Sequence, residues 1–98
     1  MKVVDLKKLG RSLEIDQDYE LKKIDAGSLI MIHLRNQSYP YEVHDSNEEI
    51  IIAFQGGFSI ETKTESLIVP EGHMVTIPKG VEHRFGAESN AVVLVAFG

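Results

Sequence analysis

The sequence predicts an all-β protein, a small antiparallel β-barrel folded as a single domain over residues 1–98. Three observations lead there. The apolar residues fall in short runs rich in β-branched side chains: Ser28 to Leu34, Ile50 to Phe54, Ser66 to Val69, Met74 to Ile77 and Ala91 to Phe97. Gly, Pro, Asn or Ser bounds each run, at near-regular spacing. No stretch sustains a helical period long enough to compete. A chain of 98 residues can bury roughly two thirds of its unfolded surface, enough for a core without covalent staples. Its 43% hydrophobic and 26% charged residues are ordinary globular usage.

Taken in order, Asp5 to Leu9 can form a turn or two of helix, which Gly10 is expected to stop. The segment just before it, Lys2 to Leu6, is a candidate strand for edge pairing or exchange between two copies. Asp16 to Ile24 is polar and fits either a loop or an edge strand. Four turns then punctuate the runs. Gln55-Gly56-Gly57 supplies positive φ for a hairpin. Thr62-Lys63-Thr64-Glu65 is a second, polar hairpin loop. Pro70-Glu71-Gly72 and Pro78-Lys79-Gly80 are tight turns in which Pro presets φ and Gly accepts the left-handed conformation. Strands folded back so tightly form a meander that must close or pair its edges.

The formal net charge of −5 argues against nonspecific nucleic-acid binding, which needs Lys and Arg to displace counterions, and weakly against anionic membrane surfaces. The absence of cysteine excludes disulfides and thiolate metal sites and fits a reducing cytosol. The start of the chain lacks the apolar run of a signal peptide, and nothing approaches the roughly 18 apolar residues of a membrane span. A soluble, cytoplasmic protein is expected. No Ser sits in a Gly-x-Ser-x-Gly context and no phosphate-binding glycine loop precedes a helix, so acyl-enzyme and nucleotide hydrolysis are poor candidates.

The chemistry-bearing residues concentrate between Tyr41 and His83. On a strand, Glu42 and His44 share a face, as do Glu49, Ile51 and Ala53. A hairpin fold-back would set Glu49 opposite His44. His83, reached after a strand, a turn and a short return, joins them only if the sheet curls.

These residues resemble the small single-domain cupins. The first cupin motif, roughly His-x-His, three or four residues, Glu, six residues, Gly, is matched by Glu42-Val43-His44, then Glu49, then Gly56. The second, roughly Gly, five residues, Pro-x-Gly, two residues, His, three residues, Asn, is matched by Gly72, Pro78-Lys79-Gly80, His83 and Ala87. The spacing agrees from His44 to Gly56 and from Gly72 to His83, and the resemblance covers about Tyr39 to Phe85. It implies a jelly-roll barrel with a metal-type site in its mouth. Two positions depart from the pattern. Ala87 replaces an Asn that is not a ligand, and Glu42 replaces the first histidine of a site commonly made of three histidines and a glutamate.

The implied ligand set is therefore His44, Glu49, His83 and Glu42, suited to Mn, Fe, Zn or Ni, with the extra carboxylate favouring Mn or Fe. Without Glu42 the set becomes the two-His, one-carboxylate arrangement of non-haem iron sites. Two carboxylates converging without a cation repel and must shift at least one pKa upward. The alternative is a metal-free barrel in which Glu42 faces solvent and the histidines are hydrogen-bonded in a polar pocket. Tyr39, Tyr41, Ile51 and Phe85 are candidate pocket-lining residues, and Arg84 should point away from the site. His33 and Arg35 share a face expected to lie outside, and His73 is expected to be exposed.

Because one fold hosts many reactions, the resemblance leaves function open between two classes. One is a metal-dependent enzyme of isomerase or dioxygenase type on a small polar substrate. The other is a noncatalytic module that binds a sugar or acid. In either class the expected partners are a small molecule and a second copy in a homodimer, and neither nucleic acid nor membrane.

Overall fold

The computed structural model describes residues 1–35, 39–87 and 89–98. One helix, α1 (Leu6–Ser12), precedes eight strands: β1 (Tyr19–Ile24), β2 (Gly27–Leu34), β3 (Glu49–Gln55), β4 (Phe58–Glu61), β5 (Ser66–Val69), β6 (Met74–Ile77), β7 (Arg84–Phe85) and β8 (Ala91–Phe97). They build two antiparallel sheets, one in the order β1-β2-β8-β3-β6 and one in the order β5-β4-β7. The all-β barrel architecture is as the punctuation of the sequence predicts. Among the described residues, no helix is long and apolar enough to cross a membrane.

The core lies between the two sheets. Alternation decides which residues enter it: Ile32 and Leu34 from β2, Ile51 and Ala53 from β3, Val93 and Val95 from β8, facing Phe58 and Ile60 from β4. Glu49 continues the inward parity of Ile51 and Ala53, so a carboxylate is carried to the rim of this core and buried there. Registers of Glu49 with Ile77 on one side and Phe97 on the other clamp it between two neighbouring strands.

Several connections differ from the sequence expectation. Gln55-Gly56-Gly57 is not a hairpin. It is a corner that carries the chain from β3 in one sheet to β4 in the other, because β3 is already paired on both edges, by β6 and β8. Gly56 takes φ +73°, and a Cβ there would stand 2.5 Å from the Asn90 carbonyl. Strands β4 and β5 form a hairpin, closed by residues 62–65 with Glu61 opposite Ser66, and β1 and β2 form another, with Ile24 opposite Gly27. The two Pro-containing turns form as expected, with Gly72 and Gly80 at φ +80° and +75°.

The amino terminus also departs from expectation. Within the single chain, residues 1–5 lie outside any element, and the helix begins at Leu6. Asp5 caps it, accepting from the Lys8 backbone N–H at 3.0 Å. The helix runs through Gly10 instead of stopping there. A Cβ at Gly10 would lie 2.6 Å from Val92 Cγ1, so glycine is what lets α1 approach the sheet. The polar segment after it resolves into edge strand β1, preceded by Asp16 at φ +57°.

His33 is the other correction. It points outward from the barrel, as parity expects, yet it is buried. The Leu13 to Asp16 segment covers it, with the His33 Nδ1 donating to the Leu13 carbonyl at 3.2 Å and the Asp16 N–H donating to the His33 carbonyl at 2.9 Å.

Candidate metal centre

Three backbone hydrogen bonds assemble the site. The Glu42 N–H donates to the His83 carbonyl and the His83 N–H to the Glu42 carbonyl, each at 2.9 Å, and the Gly80 N–H donates to the His44 carbonyl at 2.9 Å. The segment carrying Glu42 and His44 thus pairs with the return from the Pro78-Lys79-Gly80 turn. The expected fold-back onto β3 does not form. Residues in such a reciprocal pair present side chains to the same face. Glu42 and His83, distant in sequence, are neighbours by ladder register.

The donor atoms then converge. One ligand atom from each of Glu42, His44, Glu49 and His83 lies within 4.8 Å of the others. Glu49 is the hub: its Oε2 is 3.2 Å from His44 Nε2 and its Oε1 is 3.2 Å from His83 Nε2. Glu42 Oε1 stands farther off, 3.7 Å from His44 Nε2 and 3.8 Å from His83 Nε2. The imidazole rings are tilted by 44° with centroids 5.7 Å apart. The site has a fixed half and an open half. His83 and Glu49 side chains are 2% and 9% exposed, whereas His44 and Glu42 are 43% and 58% exposed.

These distances suit a cation. With donors at about 2.1 Å, adjacent ligand atoms lie roughly 3.0 Å apart in octahedral and 3.4 Å in tetrahedral geometry. The His–Glu49 separations fall within that range, and the Glu42 contacts need a small inward movement of an exposed side chain. His83 is also correctly prepared. Its Nδ1–H donates to the Val81 carbonyl at 2.8 Å, so in the neutral ring the Nε2 lone pair faces the other donors. Without a cation, the hydrogen bond from Nε2–H to Glu49 holds the imidazolium together. That bond raises the His83 pKa above its ordinary value, against the opposing effect of burial, with further help from the Val81 carbonyl and the charges of Glu49 and Glu42.

A cavity of about 150 Å³ opens beside these groups, bordered by Glu42, His44 and Glu49, by Asp18 of the β1 approach, and by apolar walls from β2, β8, Tyr39 and Phe85. Of the lining residues expected from sequence, Tyr39 and Phe85 border it, packed edge to face at 5.2 Å. Tyr41 does not. Its ring lies under Lys63 Nζ at 4.5 Å and the Arg84 guanidinium at 4.2 Å, and its hydroxyl donates to the Thr62 carbonyl. Ile51 is sealed in the core below the site. Arg84 turns away and pairs with Glu61, His73 is exposed at its turn, and Arg35 is exposed beyond β2.

The sequence did not single out Asp16 or Asp18. Asp16 Oδ1 accepts from the Tyr39 hydroxyl at 3.0 Å and from the Arg35 N–H at 2.9 Å. Burial, then that hydrogen bond, then the charges of Asp16, Asp18 and Glu42 push the Tyr39 pKa up. Their segment shows no periodicity that would mark an inward side chain. The apolar walls, by contrast, were available from strand parity: Ile30 and Ile32 alternate along β2, Val95 and Phe97 along β8. A larger open depression along residues 24–29, 46–48 and 96–98 holds no cluster of metal-ligating side chains among the described residues.

Comparison with known proteins follows the same lines. A family model described as "Cupin domain" matches residues 28–97. A search of curated proteins by sequence finds no match. Among solved structures, the chain is similar to a cupin-2 domain protein from Shewanella frigidimarina, at TM-score 0.84 and 18% identity over 96% of this chain and 92% of that one. It is similar to a protein from Thermus thermophilus, at TM-score 0.80 and 23% identity over 100% and 97%. A protein from Neisseria meningitidis matches at TM-score 0.80 and 20% identity over 98% of both chains. At such identities the likeness concerns the fold alone.

Proposed function

The chain belongs to the cupin domain family, and from that premise we propose that it is a metal-dependent enzyme acting on a small polar molecule. Glu42, His44, Glu49 and His83 would hold one divalent cation, Mn, Fe, Zn or Ni. The observation that carries this reading is the convergence of the four donor atoms within 4.8 Å, with Glu49 at 3.2 Å from both imidazoles. When bound, such a cation supplies Lewis-acid polarisation of a substrate oxygen.

The protein's own groups do the rest. The Val81 carbonyl fixes the His83 ring and its tautomer. Tyr39, Phe85 and the β2 and β8 walls exclude water from one side of the substrate. Glu42, exposed and the most distant of the four, is the ligand that would leave the cation to take or return a proton at its Oε atoms as substrate enters. That exposure also favours a second reading, a noncatalytic binding module: Glu49 already bridges both imidazoles without a cation.

Metal analysis and calorimetric titration of chelator-stripped protein test the proposal. One cation per chain, lost in His83→Ala but not in His73→Ala, is expected. Equal binding in both variants, or none in the native protein, rejects it. Turnover of small hydroxy-carbonyl compounds that disappears with His44→Ala separates the enzyme from the binding module.

A further inference from the structure

Electrostatics and volume restrict what the cavity can accept. We propose that it selects a small uncharged ligand, an alcohol, amide or carbonyl compound, and discriminates against carboxylates and phosphates, with Asp18 as the specificity-determining residue. This rests on the metal reading above and names the ligand class of the same site.

The charge balance is one-sided. Asp18, Glu42 and Glu49 all border the cavity, and no Lys or Arg does so among the described residues. The remaining residues, Asn36, Gln37, Ser38 and Glu88, contribute no cation to the chain's inventory. A divalent ion held with two neutral imidazoles is offset by Glu42 and Glu49, leaving the Asp18 charge unbalanced at the mouth. The field extends past the ligand set: the Tyr39 hydroxyl, on the cavity wall, feels Asp16, Asp18 and Glu42 together. An anion would enter without a guanidinium or ammonium to receive it, in a recess whose apolar walls weaken dielectric screening.

The volume sets the size. About 150 Å³ corresponds to roughly five waters at about 30 Å³ each, well under the 300 Å³ or more of typical ligand pockets. Ile30, Ile32, Val95 and Phe97 offer no hydrogen bonds along one wall. The ligand therefore presents its oxygens toward Glu42, His44 and Glu49 and a short apolar portion toward β2 and β8.

Glycolamide and glycolate share one skeleton and differ in charge, which makes them the probes. ¹⁵N-labelled full-length protein, loaded with Zn(II) and checked for metal content, is titrated with each and followed through the amides of Ile30 and Val95. Glycolamide should bind at least as tightly as glycolate, although a carboxylate is the better donor to a divalent cation. Asp18→Asn, at an exposed position, should tighten glycolate by roughly three- to tenfold and leave glycolamide within about twofold. Tighter glycolate binding to the native protein, an unchanged ratio in Asp18→Asn, or no shift of cavity amides by either probe overturns the inference. If zinc does not load, the metal reading fails by itself. The same titration of metal-free protein, where the mouth is more negative still, then tests the selectivity with the same expected order.

Discussion

Replacing Glu49 by Gln keeps the shape of the site and removes its hub. A four-ligand zinc site is worth about 10–16 kcal/mol of binding free energy, or about 3 kcal/mol per ligand. Since every 1.4 kcal/mol is tenfold, losing one full ligand weakens affinity by about 10²-fold. Glu49 counts as a full ligand because it touches both imidazoles at 3.2 Å from a buried position that water cannot readily fill. At zinc about 100 times the native dissociation constant, the metal stabilises the native protein by about 2.7 kcal/mol. For a domain of this size that raises Tm by roughly 10–20 °C, at about 4–8 °C per kcal/mol. In Glu49→Gln the same zinc concentration sits near the weakened dissociation constant and contributes about 0.4 kcal/mol, a rise of roughly 2–3 °C. Glu42→Gln, 3.7 Å or more from either ring and exposed, should fall between, with affinity down about tenfold. Differential scanning calorimetry of chelator-stripped protein across a zinc titration reads all three. A Glu49→Gln variant that keeps the native zinc-induced rise would refute the assignment of Glu49 as hub.

Three further outcomes follow from the structure. The folded-state pKa of His83 is raised above 6.5 chiefly by its bond to Glu49. Its contribution to metal-free stability is therefore complete below pH 6.5 and is lost as pH rises through the folded value. Urea midpoints of metal-free protein should fall across that window, and the fall should shrink in Glu49→Gln. Zinc affinity should run the other way, rising with pH as the imidazoles lose their protons. In Gly86→Ala, the new Cβ would collide with Ser59 Oγ. This should destabilise the protein by about 1–3 kcal/mol, and adding Ser59→Ala should recover part of the loss. An unchanged urea midpoint in Gly86→Ala would contradict the packing described.

The order and spacing of Glu42, His44, Glu49 and His83 were readable because each is tied to local punctuation: a strand parity, a Pro-x-Gly turn, the start of an apolar run. Asp16 and Asp18 were not, since they lie in a polar stretch where no period indicates an inward side. The Gly56-Gly57 corner departs from the expected hairpin for a related reason. A glycine pair reports that the chain must turn, and only the prior pairing of β3 with β6 and β8 decides that it turns into the other sheet. Gly10 shows tertiary contact overriding propensity: a residue that weakens a free helix is kept in α1 because nothing larger fits against Val92. Strand β7, two residues long, is below what any sequence pattern resolves.

The reciprocal main-chain bonds between Glu42 and His83 have an evolutionary implication. They hold two positions of the donor cluster in register whatever side chains those positions carry. The first position of the motif can therefore exchange imidazole for carboxylate by the change of one residue, altering the hardness and charge of the centre while the scaffold stays put. Glu42→His would run that exchange in reverse, so under the metal reading proposed above the ion this barrel prefers would be a property of one codon more than of its architecture.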